Sequence, residues 1–358
     1  MNGNLTKRNT AALKGVAILL MVFHHCYRSA DKFAGYEVNF QPFSQEFIIN
    51  IGVLSKICVS IFAFVSGYGL LCGYKKVMER NSVDRRQWIA RHIVSTLSGF
   101  WLVAVCCYIA YRLLGIGDFS NFGNTKIEKL FYIAIDILGF SGLMDTPSLN
   151  TAWWYIGTAV AFILLLPVCK WIADRMGYGF VLAMVFLIPR ILGLGFLGGR
   201  STWSFLFIFV CGMMCSEGKY GLYINKGKYA GIINFLIYLV VFILGGWLSL
   251  HVSIHDFWEL KYGIVPLAFI FLCTDYLFRI PFLQSFFAFL GRYSLNVWLI
   301  HTFIRDWLGT YIWKLSFFWL VPLVILGISL GISMIIEGLK KQIKYEQWFV
   351  PKTGGKNR

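Results

Sequence analysis

The sequence predicts an all-α, polytopic membrane protein with about ten transmembrane helices. Of its 358 residues, 58% are hydrophobic and only 14% are charged. Many apolar runs approach the roughly 20 residues that a helix needs to cross the hydrocarbon core of a bilayer. The sequence contains no internal repeat of fixed period, no low-complexity linker and no stretch typical of a water-soluble domain. We therefore predict one integral-membrane domain over residues 1–358.

Ten hydrophobic segments are predicted to cross the membrane. They are 11–27, 47–74, 93–114, 153–167, 180–197, 203–215, 229–250, 264–278, 293–312 and 317–336. One further segment, 126–143, is apolar but contains Glu128, Lys129 and Asp136. Because charged side chains inside a span are costly, we predict that this segment forms an interfacial or re-entrant helix on the outer face.

The distribution of charge between the loops predicts the orientation. The formal net charge is +16, which in a water-soluble protein would suggest a nucleic-acid partner. In a membrane protein, Lys and Arg collect on the cytoplasmic side, so we predict that the basic segment 75–91 and a short tail from about residue 340 are cytoplasmic. With ten crossings, both termini are predicted to be cytoplasmic. We predict that the membrane is a bacterial cytoplasmic membrane and that the protein has no nucleic-acid partner. A positive cytoplasmic face would also suit an anionic donor.

Ionisable residues at the two ends of the first span form one candidate site. Lys14 opens an apolar run that closes with His24 and His25. At about 100° per residue, Lys14 and His25 lie about 20° apart around a helix and roughly 16 Å apart along it. Such groups inside membrane helices usually face protein or water and mark function. The alternatives are an anchoring role for Lys14 and packed interior positions for the histidines.

The segment 289–301, with the sequence Phe-Leu-Gly-Arg-Tyr-Ser-Leu-Asn-Val-Trp-Leu-Ile-His, contains a second candidate site. Ser294 and His301 are seven residues apart and therefore lie about 20° from each other around a helix. Arg305 follows His301 on the same face. In the predicted topology His25 and His301 both lie in the outer half of the membrane. Two histidines at similar depth on different helices can line one cavity.

The second span contains the sequence Ile-Phe-Ala-Phe-Val-Ser-Gly-Tyr at positions 61–68. Ser66 and Tyr68 are candidates for contact with a substrate. The alternative is a helix-packing face of small residues, because Gly69 and Gly73 stand four residues apart.

The fourth span opens with Trp-Trp-Tyr at positions 153–155. Trp153 is a further candidate for substrate contact. The alternative is an aromatic belt at the membrane interface, where Trp and Tyr are enriched.

The cysteines do not predict a metal site. The sequence has nine, most of them within apolar runs, and none has metal-ligand spacing. We therefore expect no metal cofactor and interpret the cysteines as small residues in helix packing.

In combination these motifs resemble the acyltransferase-3 family of membrane-embedded carbohydrate O-acyltransferases. Four features match in order: a basic residue and a histidine eleven positions apart in the first span, a Phe-x-x-Ser-Gly-aromatic segment, an aromatic pair opening a span, and a Gly…Ser…aromatic-Leu-x-His ending. Arginine is commoner in the family where Lys14 stands. The family often has two arginines three residues apart at the start of its third span. No pair here has that spacing, and only Arg91 is matched to it; the alternative is that Arg91 anchors the span at the cytoplasmic face.

The resemblance implies a role for each candidate residue. His25 would be the general base, and His301 would be a second catalytic group. Lys14 and Arg91 would bind the phosphates of acetyl-CoA, the expected acyl donor. The remaining candidates would contact substrate: Ser66, Tyr68, Trp153, Ser294 and Arg305. His301, Arg305 or Lys14 would stabilise or position the thioester and its developing oxyanion.

The activity that the resemblance implies is acyl transfer, most often of acetyl from acetyl-CoA, to a hydroxyl of a cell-surface or lipid-linked glycan. A sugar hydroxyl is a weak nucleophile near neutral pH, and histidine is the commonest general base in enzymes. Two alternatives of other classes are a secondary transporter or lipid-linked glycan flippase, with His25 and His301 on the translocation path, and a non-catalytic membrane scaffold. The sequence leaves open the glycan, the acyl group and the oligomeric state.

Overall fold

The computed structural model describes residues 5–79, 84–117, 119–194, 199–218, 229–252 and 257–349. Almost all regular structure in this part of the chain is helical, and the β-structure is an isolated bridge between Asn39 and Phe317. The predicted cytoplasmic tail falls only partly within the described residues, because 350–358 lie outside them.

Fifteen α-helices occur in the described residues. They are α1 Lys7–Tyr27, α2 Gln45–Leu54, α3 Ile57–Glu79, α4 Arg85–Leu113, α5 Lys126–Ile137, α6 Ser141–Met144, α7 Tyr155–Ile191, α8 Trp203–Ser216, α9 Ala230–His251, α10 Val265–Asp275, α11 Pro281–Arg292, α12 Ser294–Trp307, α13 Gly309–Ile312, α14 Leu320–Gln342 and α15 Glu346–Phe349. Single turns of 3-10 helix lie at Ala30–Phe33, Ser120–Phe122, Thr151–Trp154, Leu277–Arg279 and Trp313–Leu315, and a π-helical turn lies at Leu260–Ile264.

The ten predicted spans are helical over most of their described residues. Seven helical stretches in the described residues are long and apolar enough to cross a membrane: Lys7–Tyr27, Gln45–Glu79, Arg85–Leu113, Thr151–Ile191, Ala230–His251, Leu260–Arg279 and Leu320–Gln342. The shorter α8 is also apolar, and α12 covers most of the ninth predicted span. The protein is therefore an all-α, polytopic integral-membrane protein.

The fourth and fifth predicted spans form one element, α7, which is bent at Gly177. A straight helix of its 37 residues would extend about 55 Å, well beyond a hydrocarbon core of about 30 Å. Gly177 has φ 81° and ψ 161°, a conformation that side chains with a Cβ rarely adopt. The bend therefore divides α7 into two lengths that correspond to the two predicted spans.

The segment predicted as an interfacial helix forms α5, whose 12 residues reach only about 18 Å and cannot cross a bilayer. Its Asp136 is fully buried. This carboxylate accepts hydrogen bonds from the Tyr108 hydroxyl (2.7 Å), the Ser141 hydroxyl (2.6 Å) and the Leu149 N–H (2.8 Å). Asp136 thus connects α5 to α4 and to the loop before α7, which explains a charge in an apolar segment.

The central helix α1 packs against α2, α3, α11, α12 and α14, and its contact with α11 depends on two glycines. A Cβ added to Gly15 would lie 1.9 Å from the carbonyl oxygen of Phe287, and one added to Gly291 would lie 1.8 Å from that of Ala11. Small residues let membrane helices approach this closely. The contact fixes α12, which follows α11 almost directly, relative to α1.

A second close contact of the same kind joins α3 to α8. A Cβ on Gly67 or on Gly212 would lie 2.1 Å from a carbonyl oxygen of the opposite helix. The sequence had suggested Gly69 and Gly73 as the packing glycines, but a Cβ at either would meet no atom within 4 Å. The packing glycine of the Ser-Gly-Tyr motif is therefore Gly67.

Candidate functional site

A cavity of about 140 Å³ lies where the end of α1, the start of α3, the start of α7 and α12 meet. Its lining consists of Met21, His24, His25, Arg28, Lys56, Cys58, Val59, Phe62, Thr151, Ala152, Trp154, Tyr155, Arg200 and Trp298. In another protein, a void of about 150 Å³ accommodates a six-membered ring such as benzene. The cavity therefore has room for one ring-sized group.

Two neighbouring histidines in the last turn of α1 face this cavity in different ways. His24 is buried, and its Nδ1 lies 2.8 Å from the carbonyl oxygen of Gly52. Because a carbonyl only accepts, Nδ1 of His24 is the donor and the side chain ties α1 to α2. His25 is half-buried, and its ring stands 4.9 Å from that of His301, centroid to centroid. The two histidines predicted from the sequence therefore meet.

His301 is 1% exposed, and its environment determines its tautomer. Its Nδ1 lies 2.8 Å from the carbonyl oxygen of Trp298 and 3.2 Å from that of Val297. Both partners are acceptors, so Nδ1 carries the proton of the neutral ring and Nε2 keeps its lone pair. Nε2 is buried and has no hydrogen-bond partner among the described residues. His301 thus presents a basic nitrogen inside the protein.

Arg305 holds the histidine pair in place. Its guanidinium donates to the main-chain oxygen of His25 at 2.8 Å and forms an ion pair with Asp306 at 2.7 Å. Its side chain is 15% exposed. Predicted as a substrate contact, Arg305 connects the last turn of α1 to α12 and does not line the cavity.

Three cations line the cavity that the sequence had not singled out. Arg28 caps the C-terminus of α1, Lys56 lies between α2 and α3, and Arg200 precedes α8. Partial burial and the nearby charges of Arg200 and Arg305 lower the pKa of Arg28. No carboxylate belongs to the lining formed by the described residues. The cavity is therefore strongly positive.

One of these cations had a signal in the sequence. Lys56 interrupts the apolar segment 47–74, and an ionisable residue inside a span is a candidate functional group. Arg28 stands one helical turn beyond His25, but as the first residue after a span it resembles an ordinary anchor. Nothing in the sequence around Arg200 placed it near the first span.

Trp153, predicted to contact substrate, belongs to the core. It is 2% exposed, its indole N–H donates to the carbonyl oxygen of Leu299 at 3.0 Å, and its ring packs against Phe100 and Phe303. The two aromatic residues that follow it, Trp154 and Tyr155, line the cavity instead.

The other predicted site residues lie away from the cavity lining. The Tyr68 hydroxyl donates to the carbonyl oxygen of Leu5 at 3.2 Å, which ties α3 to the N-terminus. Ser294 is buried at the start of α12, at the opposite end of that helix from Arg305. Lys14, Ser66 and Arg91 are half-buried on α1, α3 and α4 and do not contribute to the lining.

The ionisable groups at the cavity include nitrogen bases and cations. In the described part of the chain, no three His, Cys, Asp or Glu side chains come together in a way that could hold a metal ion. The site brings together a half-buried histidine, a second histidine with an available lone pair, and three cations around a ring-sized space. Such an arrangement can accept a proton and hold an anion.

Of the comparisons with known proteins, the one with protein families gives a match. No curated protein and no solved structure matches the chain. The acyltransferase-3 family, described as an acyltransferase domain, matches residues 11–338. The matched region is nearly the whole chain and includes the cavity, both histidines and every other predicted site residue. The chain therefore belongs to the acyltransferase-3 family and is an integral-membrane acyltransferase.

Proposed function

We propose that this protein transfers an acetyl group from acetyl-CoA to a hydroxyl of a cell-surface or lipid-linked glycan. The observation that supports it best is the placement of His25 at the wall of a ring-sized cavity, with the ring of His301 at 4.9 Å behind it. The proposed location is a bacterial cytoplasmic membrane with both termini in the cytoplasm. In this orientation the histidines and the cavity lie in the outer half of the membrane.

In the proposed reaction His25 acts as the general base. A ring nitrogen of His25 accepts the proton of the glycan hydroxyl while the hydroxyl oxygen attacks the acetyl carbonyl carbon of the thioester. A C–O bond forms, the C–S bond breaks, and the departing thiolate of coenzyme A takes the proton from His25. The ester and free coenzyme A are the products, and His25 returns to its neutral form.

His301 and Arg305 support His25 in different ways. His301 has its lone pair on Nε2, since Nδ1 donates to backbone carbonyl groups. The two rings are 4.9 Å apart, and in the proposed reaction a small movement of either ring would let this lone pair stabilise the imidazolium that forms on His25. Arg305 acts as a positioning residue through its hydrogen bond to the main-chain oxygen of His25.

The proposed donor site lies at the cytoplasmic edge, where Lys14 and Arg91 would bind the phosphates of acetyl-CoA. Both side chains are half-buried, and neither forms an ion pair with a described carboxylate. The roughly 16 Å between Lys14 and His25 along α1 is a distance that a flexible coenzyme arm can bridge. Coenzyme phosphates and the acetyl group would then lie at opposite ends of the same helix.

A matched pair of asparagine variants tests the proposal. His25→Asn removes the base, and we expect acetyl transfer to fall by roughly 10²–10⁴-fold while the protein remains folded and inserted. His24→Asn is the control, because its amide N–H can replace the donation from Nδ1 to Gly52, and we expect it to retain most of the activity. The measurement is transfer from radiolabelled acetyl-CoA to a crude glycan extract at equal membrane levels. Near-normal activity of His25→Asn, or a greater loss in His24→Asn, would refute the assignment.

A further inference from the structure

The cavity beside His25 carries more positive charge than the proposed proton transfer requires. Arg28, Lys56 and Arg200 all line it, and its described lining contains no Asp or Glu. They come from three different parts of the chain, so the fold has gathered them around one space. Arg28 and Arg200 are exposed and Lys56 is half-buried. Like charges around one space repel each other, and a bound anion would relieve that repulsion.

Several partly buried cations in the described residues have a carboxylate partner. Lys75 and Lys170 pair with Glu217, and Arg190 pairs with Glu259. By contrast, Arg28 and Arg200 form no ion pair with any described residue. The lowered pKa of Arg28 has burial and Arg200 as its two largest causes. These two guanidinium groups therefore have their hydrogen-bonding capacity available for a ligand.

An anchoring role does not explain the position of these three cations. Lys and Arg that anchor a span collect on the cytoplasmic side, whereas in the proposed orientation the cavity lies towards the outer face. Surface anchors also do not need to share a cavity with a catalytic base. A functional explanation accounts for both the side of the membrane and the proximity to His25.

The remaining lining residues suit a sugar. Trp154 and Trp298 are half-buried beside the cavity, and Tyr155 and Phe62 complete an aromatic wall. An aromatic ring has a negative face, which attracts the C–H groups of a sugar ring. At about 140 Å³ the cavity is too small for more than one such ring. The cations would then lie around a single sugar unit.

We propose that Arg28, Lys56 and Arg200 form an oxyanion-binding subsite that selects acceptors carrying a carboxylate or a phosphate group next to the acetylated sugar. This inference deepens the proposed function and rests on it. Carboxylate and phosphate are both oxyanions, and each of the two guanidinium groups can donate a pair of hydrogen bonds to such a group. An acidic sugar would supply a carboxylate, and a lipid-linked or phosphodiester-linked glycan would supply a phosphate.

Equilibrium binding without any acyl donor tests the subsite. The probes are three radiolabelled monosaccharides: methyl glucoside, methyl glucuronide and glucose 1-phosphate, each added to the purified full-length protein. We expect at least one anionic probe to bind more tightly than the neutral one. Arg28→Gln and Arg200→Gln should each reduce that preference roughly ten-fold, the scale of one charge-assisted hydrogen bond. Tighter binding of the glucuronide identifies an acidic sugar, and tighter binding of the phosphate identifies a phosphate-bearing acceptor.

Two sets of variants separate a binding role from a structural one. Arg112→Gln removes an exposed cation at the outer end of α4, away from the cavity, and should leave the preference unchanged. Arg28→Lys and Arg200→Lys keep the positive charge but cannot donate the paired hydrogen bonds of a guanidinium group. They should therefore recover part of the preference for the anionic probe. Equal affinity of the wild-type protein for neutral and anionic probes would overturn the proposal. An equal loss for all three probes in the glutamine variants would also overturn it.

A transfer assay distinguishes failure of this subsite from failure of the proposed function. With labelled acetyl-CoA, the arginine variants should raise the KM for the anionic acceptor and leave the KM for acetyl-CoA unchanged. A rise confined to acetyl-CoA would overturn the subsite, because the cations would then bind the coenzyme phosphates. If the wild-type protein binds anionic probes but transfers no acetyl group, the proposed function fails while the subsite stands.

Discussion

Replacing Gly15 by alanine perturbs the contact that positions the two histidines relative to each other. Gly15 lies in α1, which ends at the histidine pair, and it faces Phe287 in α11. α12, which carries His301, begins two residues after α11 ends. A change in the distance between α1 and α11 therefore changes the distance between His25 and His301.

The size of the change follows from the close approach. The added Cβ would lie 1.9 Å from the carbonyl oxygen of Phe287, whereas ordinary contact begins near 3.4 Å. The obstacle is backbone and cannot rotate away, so the two helices must separate by about 1.5 Å to restore van der Waals distance. Overpacking of this kind costs about 1–3 kcal/mol of stability. A misplacement of about 1 Å in an active site can reduce the rate by about 10²-fold.

We therefore expect Gly15→Ala to lower both the thermal midpoint in detergent and the rate of acetyl transfer, the latter by about 10²-fold. Gly291→Ala should behave in the same way, because its Cβ would lie 1.8 Å from the carbonyl oxygen of Ala11. Gly69→Ala is the matched control: its Cβ meets open space, and alanine favours a helix by about 1 kcal/mol. A wild-type midpoint and rate in Gly15→Ala would refute the reasoning.

Two further predictions concern groups outside the cavity. Trp153→Phe keeps an aromatic ring in the core but removes the hydrogen bond to Leu299. The free energy of unfolding should fall by about 1 kcal/mol, and the KM for the acceptor should stay close to that of the wild type. A raised KM at unchanged stability would favour the substrate contact predicted from the sequence. Burial raises the pKa of Glu217, but ion pairs with Lys75 and Lys170 outweigh it, and the pKa lies below its ordinary value. Because the pKa is depressed on folding, the stabilisation is present above roughly pH 4.5 and is lost as the pH falls through the folded pKa. Glu217→Gln should therefore be less stable than wild type at pH 7, and thermal midpoints measured against pH should converge in acid; a constant difference would contradict the ion pairs.

The helices could be predicted from the sequence because the membrane imposes a simple rule on it. A span needs a long apolar run with satisfied backbone groups, and such runs are visible without any knowledge of packing. The charges within segment 126–143 predicted a helix that does not cross the membrane, and the 12-residue α5 is too short to do so. The connection inside α7 was harder to predict, because Gly177 bends a helix that the sequence had divided into two spans.

Helix packing was less predictable for a physical reason. The apolar residues of α3 are distributed around the whole helix, so the sequence does not reveal which face meets protein and which meets lipid. Two glycines four residues apart looked like a packing face, but Gly69 and Gly73 face open space and Gly67 makes the contact with α8. Only the positions of the neighbouring helices distinguish these alternatives.

At the candidate site, the meeting of the two histidines could be predicted, but the direction of several other side chains could not. The prediction followed from placing His25 and His301 at a similar depth on two helices. The 3-10 turn at Thr151–Trp154 decides that Trp153 enters the core while Trp154 lines the cavity, and a sequence motif does not reveal such a turn. Arg200 reaches the cavity from a loop distant in sequence, which no local pattern indicates.

The size of the cavity has a consequence for how the two substrates of the proposed reaction meet. A space of about 140 Å³ cannot hold the nucleotide of coenzyme A together with a sugar, since it accommodates only one ring-sized group. The nucleotide must therefore remain outside, at the cytoplasmic edge where Lys14 and Arg91 are proposed to bind its phosphates. In the proposed reaction only the thioester end would reach His25, and the sugar would arrive from the outer side, past Arg28 and Arg200. In this scheme the coenzyme arm would enter the protein, but the acetyl group alone would pass from one side of the membrane to the other.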